Sequence, residues 1–306
     1  NYNISLCIFL VPRLFTTKIA DYYEEYYKSK GIKFVKGTVL TSFEFDSSKK
    51  VSSGVSHSYL MHYCCHSCHS QRWYSGPADM VVVGIGIRPN TSLFEGQLSI
   101  EKGGIKVNGK LQTSNSSVYA VGDVAAFPVR LFGEIRRLEH VDSARKTARH
   151  AVTAIMEPEK TDDFDYLPFF YSRVFGLSWQ FYGDNAGEAV HFGDYSGKSF
   201  GAYWVKDGQL VGSFLEGGNK EEYEALARAT WLKPSVENVA ELEKKGLSFA
   251  TEICQRSPSS PPNVGVESSV TVVHKPIHVW HATAGVIFAA SIAGFAYWYG
   301  RRRKRW

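Results

Sequence analysis

A short apolar run that ends in Gly-Asp, followed by a long amphipathic segment, constrains the fold more than any other feature. The run Ser117 to Val121 is closed by Gly122-Asp123, and Val141 to Met156 repeats apolar residues at helical spacing. A second apolar run, Met80 to Val83, ends in Gly84-Ile85-Gly86. Short apolar runs closed by glycine are typical of parallel strands that are buried on both faces. Such strands beside helices predict an α/β fold.

Other segments carry weaker but consistent periodic signals. Arg13 to Lys30 has helical character and stops at Gly31, whereas Ile32 to Val35 and Val39 to Phe45 suit strands. In the long helix, one face carries an apolar stripe made by Val141, Ala144, Ala148, Ala151, Val152 and Ile155. The later signals are a hairpin turn at Lys206-Asp207-Gly208-Gln209 and helices at Glu221 to Leu232 and Val236 to Lys245.

Charge and cysteine content exclude two classes of protein. The net charge of +5 is accounted for by the basic tip Arg301 to Arg305, so the rest of the 306-residue chain is near neutral and offers no nucleic-acid surface. The cysteines are odd in number, Cys7, Cys64, Cys65, Cys68 and Cys254, which argues against a disulfide framework. A reducing compartment is the simpler interpretation.

The C-terminal region predicts a membrane anchor. Residues 255–278 begin with a Pro- and Ser-rich stretch and are interpreted as a linker. Val279 to Tyr299 contains no Asp, Glu, Lys or Arg, has aromatic residues near both ends, and is followed by a basic tip at residues 300–306. A buried core helix is the alternative, but the length, the flanking aromatics and the basic tip favour one transmembrane helix.

The Gly-Asp pair has a clear chemical use at the end of a buried strand. Thr113 precedes Ala120-Val121-Gly122-Asp123 by six intervening residues. Glycine lets the backbone approach a ligand, and an aspartate there can accept hydrogen bonds from polyol hydroxyls. An ordinary turn is the alternative. Glu139-His140-Val141 leads into the long helix, whose N-terminus carries a partial positive charge, although His140 could simply cap the helix or be exposed.

Several stretches, in order, resemble the monodehydroascorbate reductase family of the pyridine-nucleotide disulfide reductase superfamily. They are ADMVVVGIGIRPN, VYAVGDVAAFP, RRLEHVDSARKTARHAV, YLPFFYSRVFGLSWQFYGDN and GAYWVKDGQLVGSFLEGG. The resemblance covers Arg13 to Val51 and Pro77 to about Ala250. The C-terminal span with its basic tip is similar to the peroxisomal membrane form.

The resemblance implies the cofactors FAD and NADH, the monodehydroascorbate radical as small-molecule substrate, and no metal. It implies that Asp123 with Gly122 binds FAD, that Val141 offers backbone to the flavin, and that Glu139, His140 and Gly86 lie on the NAD side. Arg145 and Tyr171 would face the radical, because a guanidinium and a phenol both suit an anionic enediol oxygen. Taken alone, Arg145 could be a solvated helix residue and Tyr171 a core aromatic, and Gly84 and Gly86 could be turn glycines.

The sequence departs from the family in three places. Asn1 to Pro12 and Ser52 to Gly76 do not resemble it and carry no fold signal. The second stretch contains Cys65-His66-Ser67-Cys68-His69, a c-type haem spelling, and the potential zinc ligands His57, His62, Cys64 and His69, but it is interpreted as disordered rather than as a metal or haem site. The sequence also holds no G-x-G-x-x-G, so the two diphosphate-gripping loops are expected upstream of this chain.

The predicted organisation is an α/β fold with partial doubly wound FAD/NAD(P)-binding domains, an α+β C-terminal domain and one C-terminal transmembrane helix. Its boundaries are 13–88 for the remainder of the NAD domain, 89–165 for the returning FAD domain and 166–254 for the C-terminal domain. The predicted function is transfer of electrons from NADH to the monodehydroascorbate radical at a peroxisomal membrane. The alternatives are an FAD-linked NADH reductase of an iron–sulfur partner and a non-catalytic membrane-anchored fragment.

Overall fold

The computed structural model describes the backbone of residues 5–6, 14–34, 38–45, 47, 51–58, 73–77, 82–84 and 86–256, and the side chains of residues 14–34, 47, 82–84 and 86–256. These residues belong to a unit that spans Asn1–Val264, whereas a second unit, Gly265–Trp306, lies outside them. None of the helices in the described ranges is long and apolar enough to cross a membrane. The predicted span Val279 to Tyr299 falls outside those ranges.

A five-stranded antiparallel sheet organises the C-terminal part of the described chain. Its strands are β10 (Phe169–Val174), β11 (Leu177–Gly183), β12 (Glu188–Asp194), β13 (Ser199–Lys206) and β14 (Gln209–Glu216), in the order β10-β11-β14-β13-β12. Apolar side chains alternate between its two faces, with Tyr203 and Val205 in one core cluster and Ala202 and Trp204 in the other. Both faces of the sheet are therefore covered.

Helices cover the two faces of this sheet. The first face packs against α3 (Lys220–Leu232), α4 (Val239–Lys245) and α5 (Leu247–Arg256), and the opposite face packs against α1 (Thr17–Ser29). A capping box between Asn219 and Glu222 begins α3. The predicted hairpin is confirmed, since Asp207 and Gly208 form a two-residue turn in which both residues have positive φ.

A second core carries the residues that matter for the site. It is built by the four-stranded sheet β6 (Ile100–Glu101), β7 (Gly104–Lys106), β8 (Ala125–Val129) and β9 (Glu134–Arg137), with α2 (Val141–Met156) packed beside it. The helix has the predicted bounds. The remaining strands are β1 (Ser5–Leu6) paired in parallel with β2 (Lys33–Phe34), and the antiparallel sheet β3 (Thr38–Phe45), β4 (Val51–Ser58) and β5 (Trp73–Pro77).

Three sequence predictions are wrong. Val82 and Val83 are not in a strand but in exposed chain, and Ser117 to Val121 contributes only an isolated bridge between Gln112 and Tyr119. A parallel strand needs a neighbour on which to form its ladder, and none of the described strands is registered against these segments. Asn1 to Pro12 and Ser52 to Gly76 were expected to lack structure, yet β1, most of β4 and β5 lie in them, because pairing recruits segments with weak intrinsic preference.

The buried face of α2 also differs from the apolar stripe. The residues that face the core are Ser143, Thr147, Ala151 and Ala154, whereas Val141, Val152 and Ile155 are exposed. Periodicity identifies which residues share a face, but the partner that the helix packs against decides which face is buried. The polar pair on the buried side is used by the site described below.

Candidate cofactor and substrate site

The Gly122-Asp123 pair forms a tight turn that is braced against α2. Gly122–Val124 is one turn of 3-10 helix, and Gly122 has φ +72°, a conformation that glycine adopts without strain. The Gly122 backbone N–H donates to Thr147 Oγ1 at 3.0 Å, and the Thr147 hydroxyl in turn donates to the Ser143 carbonyl at 2.7 Å. The Asp123 residue is exposed. The turn therefore presents Asp123 outward from a fixed backbone.

The N-terminus of α2 offers unpaired backbone donors beside this turn. His140 is the N-cap residue, but its side chain makes no capping hydrogen bond. The first amides of a helix have no intrahelical partner, and a helix of this length carries a partial positive charge at this end. Val141 is 63% exposed, and the exposed Arg145 lies one turn further along the same face. This end of the helix is suited to hold a group that becomes negatively charged.

Arg137 links the Asp123 turn to Glu139. Its Nη1 donates to the Asp123 backbone carbonyl at 3.2 Å, and its Nη2 lies 2.6 Å from Glu139 Oε1. The Arg137 side chain is only 16% exposed. One guanidinium therefore contacts two of the predicted site residues.

His140 is largely enclosed. Its ring centroid lies 4.5 Å from that of Phe170, and its buried Nδ1 has no hydrogen-bond partner among the described residues. Burial lowers the pKa of His140 below its usual value, against the opposing effect of the carboxylates of Asp123, Glu139 and Asp142. The imidazole is therefore neutral near pH 7, with one ring nitrogen available to a ligand.

A cleft of about 350 Å³ opens beside His140. Its walls come from β9, β10, β11 and the segment before α1, and are formed by Leu14, Arg136, Leu138, His140, Pro168, Phe170, Phe181, Gly183, Asp184 and Asn185. Arg136 is held there by Asp184 at 2.7 Å and by Glu134 at 2.7 Å. The cleft has mostly apolar walls with a few fixed polar groups, the composition of a small-molecule site.

Tyr171 lies on the edge strand β10 and continues a row of stacked aromatic rings. The ring centroids of Tyr182 and Phe169 are 5.1 Å apart, and those of Phe169 and Tyr171 are 5.7 Å apart. Tyr171 is 53% exposed, so it is not a core aromatic. Strand alternation places it on the face opposite Phe170, the residue that contacts His140.

The structure thus brings together most of the predicted site residues. Gly122, Asp123, Glu139, His140 and Val141 surround the start of α2, and Arg145 follows on the same helix. Gly86 stands apart, in exposed chain at φ +92° with no atom of the described residues within 4 Å of the position its Cβ would take. The predicted NAD contact of Gly86 therefore stays a prediction.

Sequence reasoning missed Thr147, Arg137 and Arg136. The two arginines open the family-like stretch RRLEHVDSARKTARHAV and end a short strand, but nothing in that stretch shows what their guanidinium groups contact. Thr147 did carry a signal, because a threonine within a helix often hydrogen-bonds backbone rather than solvent. Among the described residues no cluster of His, Cys, Asp and Glu is placed to hold a metal, and the side chains of the haem-like and zinc-like residues between His57 and His69 are outside that part of the chain.

Two family models match the chain. Residues 6–155 match pyridine nucleotide-disulphide oxidoreductase, and residues 167–250 match the C-terminal domain of monodehydroascorbate reductase 3-like proteins. The chain is 64% identical over 305 residues to monodehydroascorbate reductase 4, peroxisomal, of Arabidopsis thaliana, covering 97% of this chain and 60% of that protein. The chain belongs to the monodehydroascorbate reductase family. The match to pyridine nucleotide-disulphide oxidoreductase, over residues 6–155, includes residues 6–12 and 52–76, which lie in the two stretches that do not resemble the family by sequence motif.

Other members of the family give the same result. Monodehydroascorbate reductase 2, peroxisomal, of Oryza sativa subsp. japonica is 62% identical over 299 residues, covering 97% of this chain and 58% of that protein. The monodehydroascorbate reductase of Pisum sativum is 47% identical over 253 residues, covering 79% of this chain and 54% of that protein. The chain thus spans somewhat more than half the length of the curated relatives it matches.

Solved structures support the same α/β fold. The ferredoxin reductase for the CYP199A2 system from Rhodopseudomonas palustris matches with a TM-score of 0.64 and 26% identity, over 79% of this chain and 57% of that one. The covalent putidaredoxin reductase–putidaredoxin complex matches with a TM-score of 0.67 and 22% identity, over 82% of this chain and 57% of that one. The described residues provide two parallel strand pairs of this fold, β1 with β2 and β7 with β8.

Proposed function

We propose that the full-length protein is an FAD-dependent oxidoreductase that passes electrons from NADH to the monodehydroascorbate radical and so regenerates ascorbate. The observation that carries the proposal is the placement of the exposed Asp123 residue beside the uncapped N-terminus of α2, on a turn braced by Thr147. The choice of substrate follows the names of the relatives.

The residues at this turn fit FAD. An exposed aspartate suits the hydroxyls of a ribityl chain, and the first amides of α2 suit the flavin edge where negative charge develops on reduction. FAD, when bound, accepts a hydride from NADH and releases single electrons. The protein residues bind and orient the reactants: Asp123 with Gly122 holds the ribityl chain, and the Val141 backbone and the helix N-terminus stabilise added charge.

The NAD side is proposed to lie at Glu139 and His140, next to the cleft. A neutral imidazole whose Nδ1 has no partner among the described residues can exchange a hydrogen bond with a carboxamide, and the apolar cleft walls would exclude water from the nicotinamide. Gly86 belongs to this side by its family position. Arg145 and Tyr171 are proposed to bind the radical. Both are exposed polar groups, Arg145 on α2 and Tyr171 on β10.

The experiment compares electron acceptors for the full-length protein reconstituted with FAD. NADH oxidation is followed with the monodehydroascorbate radical, generated from ascorbate by ascorbate oxidase, or with a ferredoxin. The expected result is rapid turnover with the radical and slow turnover with the ferredoxin, and the reverse order would favour an iron–sulfur partner such as the one the Rhodopseudomonas palustris reductase is named for. Absence of FAD binding would contradict both functions.

A peroxisomal membrane location is part of the proposal. A match over 97% of a 306-residue chain leaves room for only about ten unmatched residues, so the matches to the two peroxisomal relatives extend into the fifty residues after Arg256. The match to the Pisum sativum relative, whose name includes no organelle, covers 79% of this chain. The names of the two peroxisomal relatives support the peroxisomal location. The charge-free run Val279 to Tyr299 supports a single-pass C-terminal anchor. Deleting residues 279–306 is expected to release the protein from carbonate-washed membranes, and its retention would contradict the anchor.

A further inference from the structure

We infer that Arg137 is a positioning residue that couples the flavin contact at Asp123 to the NADH side at Glu139. The inference rests on the proposed function, because it concerns the same site, but it assigns a role to a residue outside the predicted set. Arg137 is not a catalytic residue, since it acts through its two partners. Its role follows from the two contacts of its guanidinium, with the Asp123 carbonyl and the Glu139 carboxylate, and from the Asp123 carboxylate that these contacts leave free.

The two ends of the Arg137 guanidinium hold different parts of the site. Nη1 donates to the backbone carbonyl of Asp123, the central residue of the 3-10 turn, and Nη2 contacts the Glu139 carboxylate at 2.6 Å. The rigid fork of a guanidinium fixes the separation between two acceptors, which a flexible ammonium does not do. The distance between the Asp123 turn and Glu139 is therefore set by one planar group.

Arg137 leaves the Asp123 carboxylate free for a ligand. The guanidinium hydrogen-bonds the backbone carbonyl of Asp123 and not its side chain, whereas it pairs directly with the Glu139 carboxylate. Asp142, the third carboxylate near His140, is paired with Lys146 at 2.9 Å. The positive charges around the start of α2 thus constrain Glu139 and Asp142 while the Asp123 side chain stays available.

The space that Arg137 occupies is built into β7. A Cβ added to Gly104 would lie 2.8 Å from Arg137 Cδ and 2.6 Å from the Val124 carbonyl oxygen. Gly104 does not have a positive φ, so glycine is required there by close approach, first of the Val124 carbonyl oxygen and then of the Arg137 stem. The neighbouring Arg136 points the other way along β9, to Asp184. Glycine at position 104 thus leaves room for both the Val124 carbonyl and the Arg137 stem.

Loss of the guanidinium should disturb both cofactor contacts together. Without it, the Asp123 carbonyl loses a charged donor and Glu139 loses its partner, so the turn and the carboxylate are no longer held relative to each other. A residue that only stabilised the fold would lower the melting temperature without a matched effect on two cofactors. The signature of positioning is therefore a joint change in FAD affinity and in KM for NADH.

The test uses the full-length protein with Arg137→Ala, Arg137→Lys and the control Arg130→Ala. Arg130 is a surface arginine whose side chain is 73% exposed and which pairs with Asp165. The dissociation constant of FAD is measured by titrating apoprotein and following flavin fluorescence, and KM and kcat for NADH are measured on the FAD-loaded proteins. Arg137→Ala is expected to raise the FAD dissociation constant about tenfold and to raise KM for NADH, with Arg137→Lys intermediate.

A double-mutant cycle with Glu139→Gln separates positioning from general destabilisation. Glu139→Gln alone should raise KM for NADH and leave FAD affinity unchanged, and in the Arg137→Ala background it should add little. The inference is overturned if Arg137→Ala matches Arg130→Ala in both constants, or if the two effects on KM are additive. If Arg137→Ala does not fold, Arg137→Lys is judged by the same criteria. A wild-type protein that binds no FAD would refute the proposed function itself, a result that the variants cannot imitate.

Discussion

The backbone N–H of Gly122 and the hydroxyl of Thr147 are joined by a hydrogen bond of 3.0 Å that ties the Gly-Asp turn to the buried face of α2. Thr147 has no exposed surface and Gly122 is partly exposed, so the hydrogen bond is partly buried. An amide that loses its acceptor in such a place costs free energy through desolvation. This single contact therefore couples the stability of the turn to the position of the helix.

Thr147→Val should destabilise the protein by about 1–3 kcal/mol, because the substitution keeps the shape and removes the acceptor. FAD affinity should fall with it, since the turn that carries Asp123 is no longer braced. Urea unfolding and FAD titration of the full-length protein measure the two effects. Thr147→Ser keeps the hydroxyl and should retain most of the stability. Thr153→Val, on the same helix but at an exposed hydroxyl, is the matched control. Equal stability of the Thr147→Val and Thr153→Val variants would contradict the prediction.

Asp123→Ala should weaken FAD binding, because the ribityl hydroxyls lose a charged acceptor worth about 1.5–3 kcal/mol. That corresponds to a loss of affinity of about 10- to 100-fold. The stability of the apoprotein should change little, since the Asp123 side chain is exposed and Arg137 holds its backbone carbonyl. Flavin content after purification and an FAD titration check this. Asp162→Ala removes another exposed aspartate and should bind FAD as the wild type does.

Arg145→Ala and Tyr171→Phe should spare the reduction of bound FAD by NADH and slow its reoxidation by the monodehydroascorbate radical. A guanidinium and a phenol each contribute a hydrogen bond to an anionic oxygen, and losing one should slow the second half-reaction by about tenfold. Stopped-flow absorbance separates the two half-reactions. The exposed Arg149, one turn beyond Arg145, supplies the control Arg149→Ala. A slower reduction by NADH, with normal reoxidation, would show that these residues act on the NADH side and that the prediction is wrong.

Local pattern predicted α1 to α4 and the Asp207-Gly208 hairpin, because their hydrogen bonds close within the segment itself, but it did not predict α5. Both ends of α2 follow the periodicity, and Asp207-Gly208 makes its turn through its own backbone preferences. The strand predictions failed at Val82 and Val83, the described part of Met80 to Val83, and at Ser117 to Val121, for the opposite reason. A parallel strand depends on neighbours that are distant in sequence, and Val82 and Val83 are exposed in the described structure.

Candidate site residues could be selected from the sequence by residue type and family resemblance, but contacts that depend on tertiary packing could not. Asp123, Glu139 and His140 were selected in this way, and the structure places all three around the start of α2. Arg137 could not, since nothing in the order of β9 residues shows which acceptors its guanidinium reaches. The apolar stripe on α2 was misleading, because the buried face is the one whose Thr147 hydroxyl satisfies the turn.

Glu216 links α1 to the five-stranded sheet and should make stability depend on pH. It is 1% exposed, Tyr23 donates its hydroxyl to Oε2 at 2.6 Å, and the Ser178 N–H donates to Oε1 at 2.7 Å. Burial raises the pKa of Glu216 above its usual value, against the opposing effects of the Tyr23, Ser178 and Gly217 donors and of Lys198. The native state thus keeps this proton to a higher pH than the unfolded chain does.

The contribution of Glu216 to stability is therefore greatest below the usual glutamate pKa of about 4.3 and declines as pH rises through the raised native value. Glu216→Gln cannot titrate at this position. The melting temperature of the wild type should therefore fall relative to that of Glu216→Gln as pH increases from 4 to 7. Thermal unfolding of the full-length protein across this range measures the difference. Glu224→Gln, on the exposed surface of α3, should leave the pH profile of the wild type unchanged. A wild-type protein that gained stability relative to Glu216→Gln over the same range would show that the hydrogen bonds from Tyr23 and Ser178 outweigh burial, and that the carboxylate is stabilised as an anion.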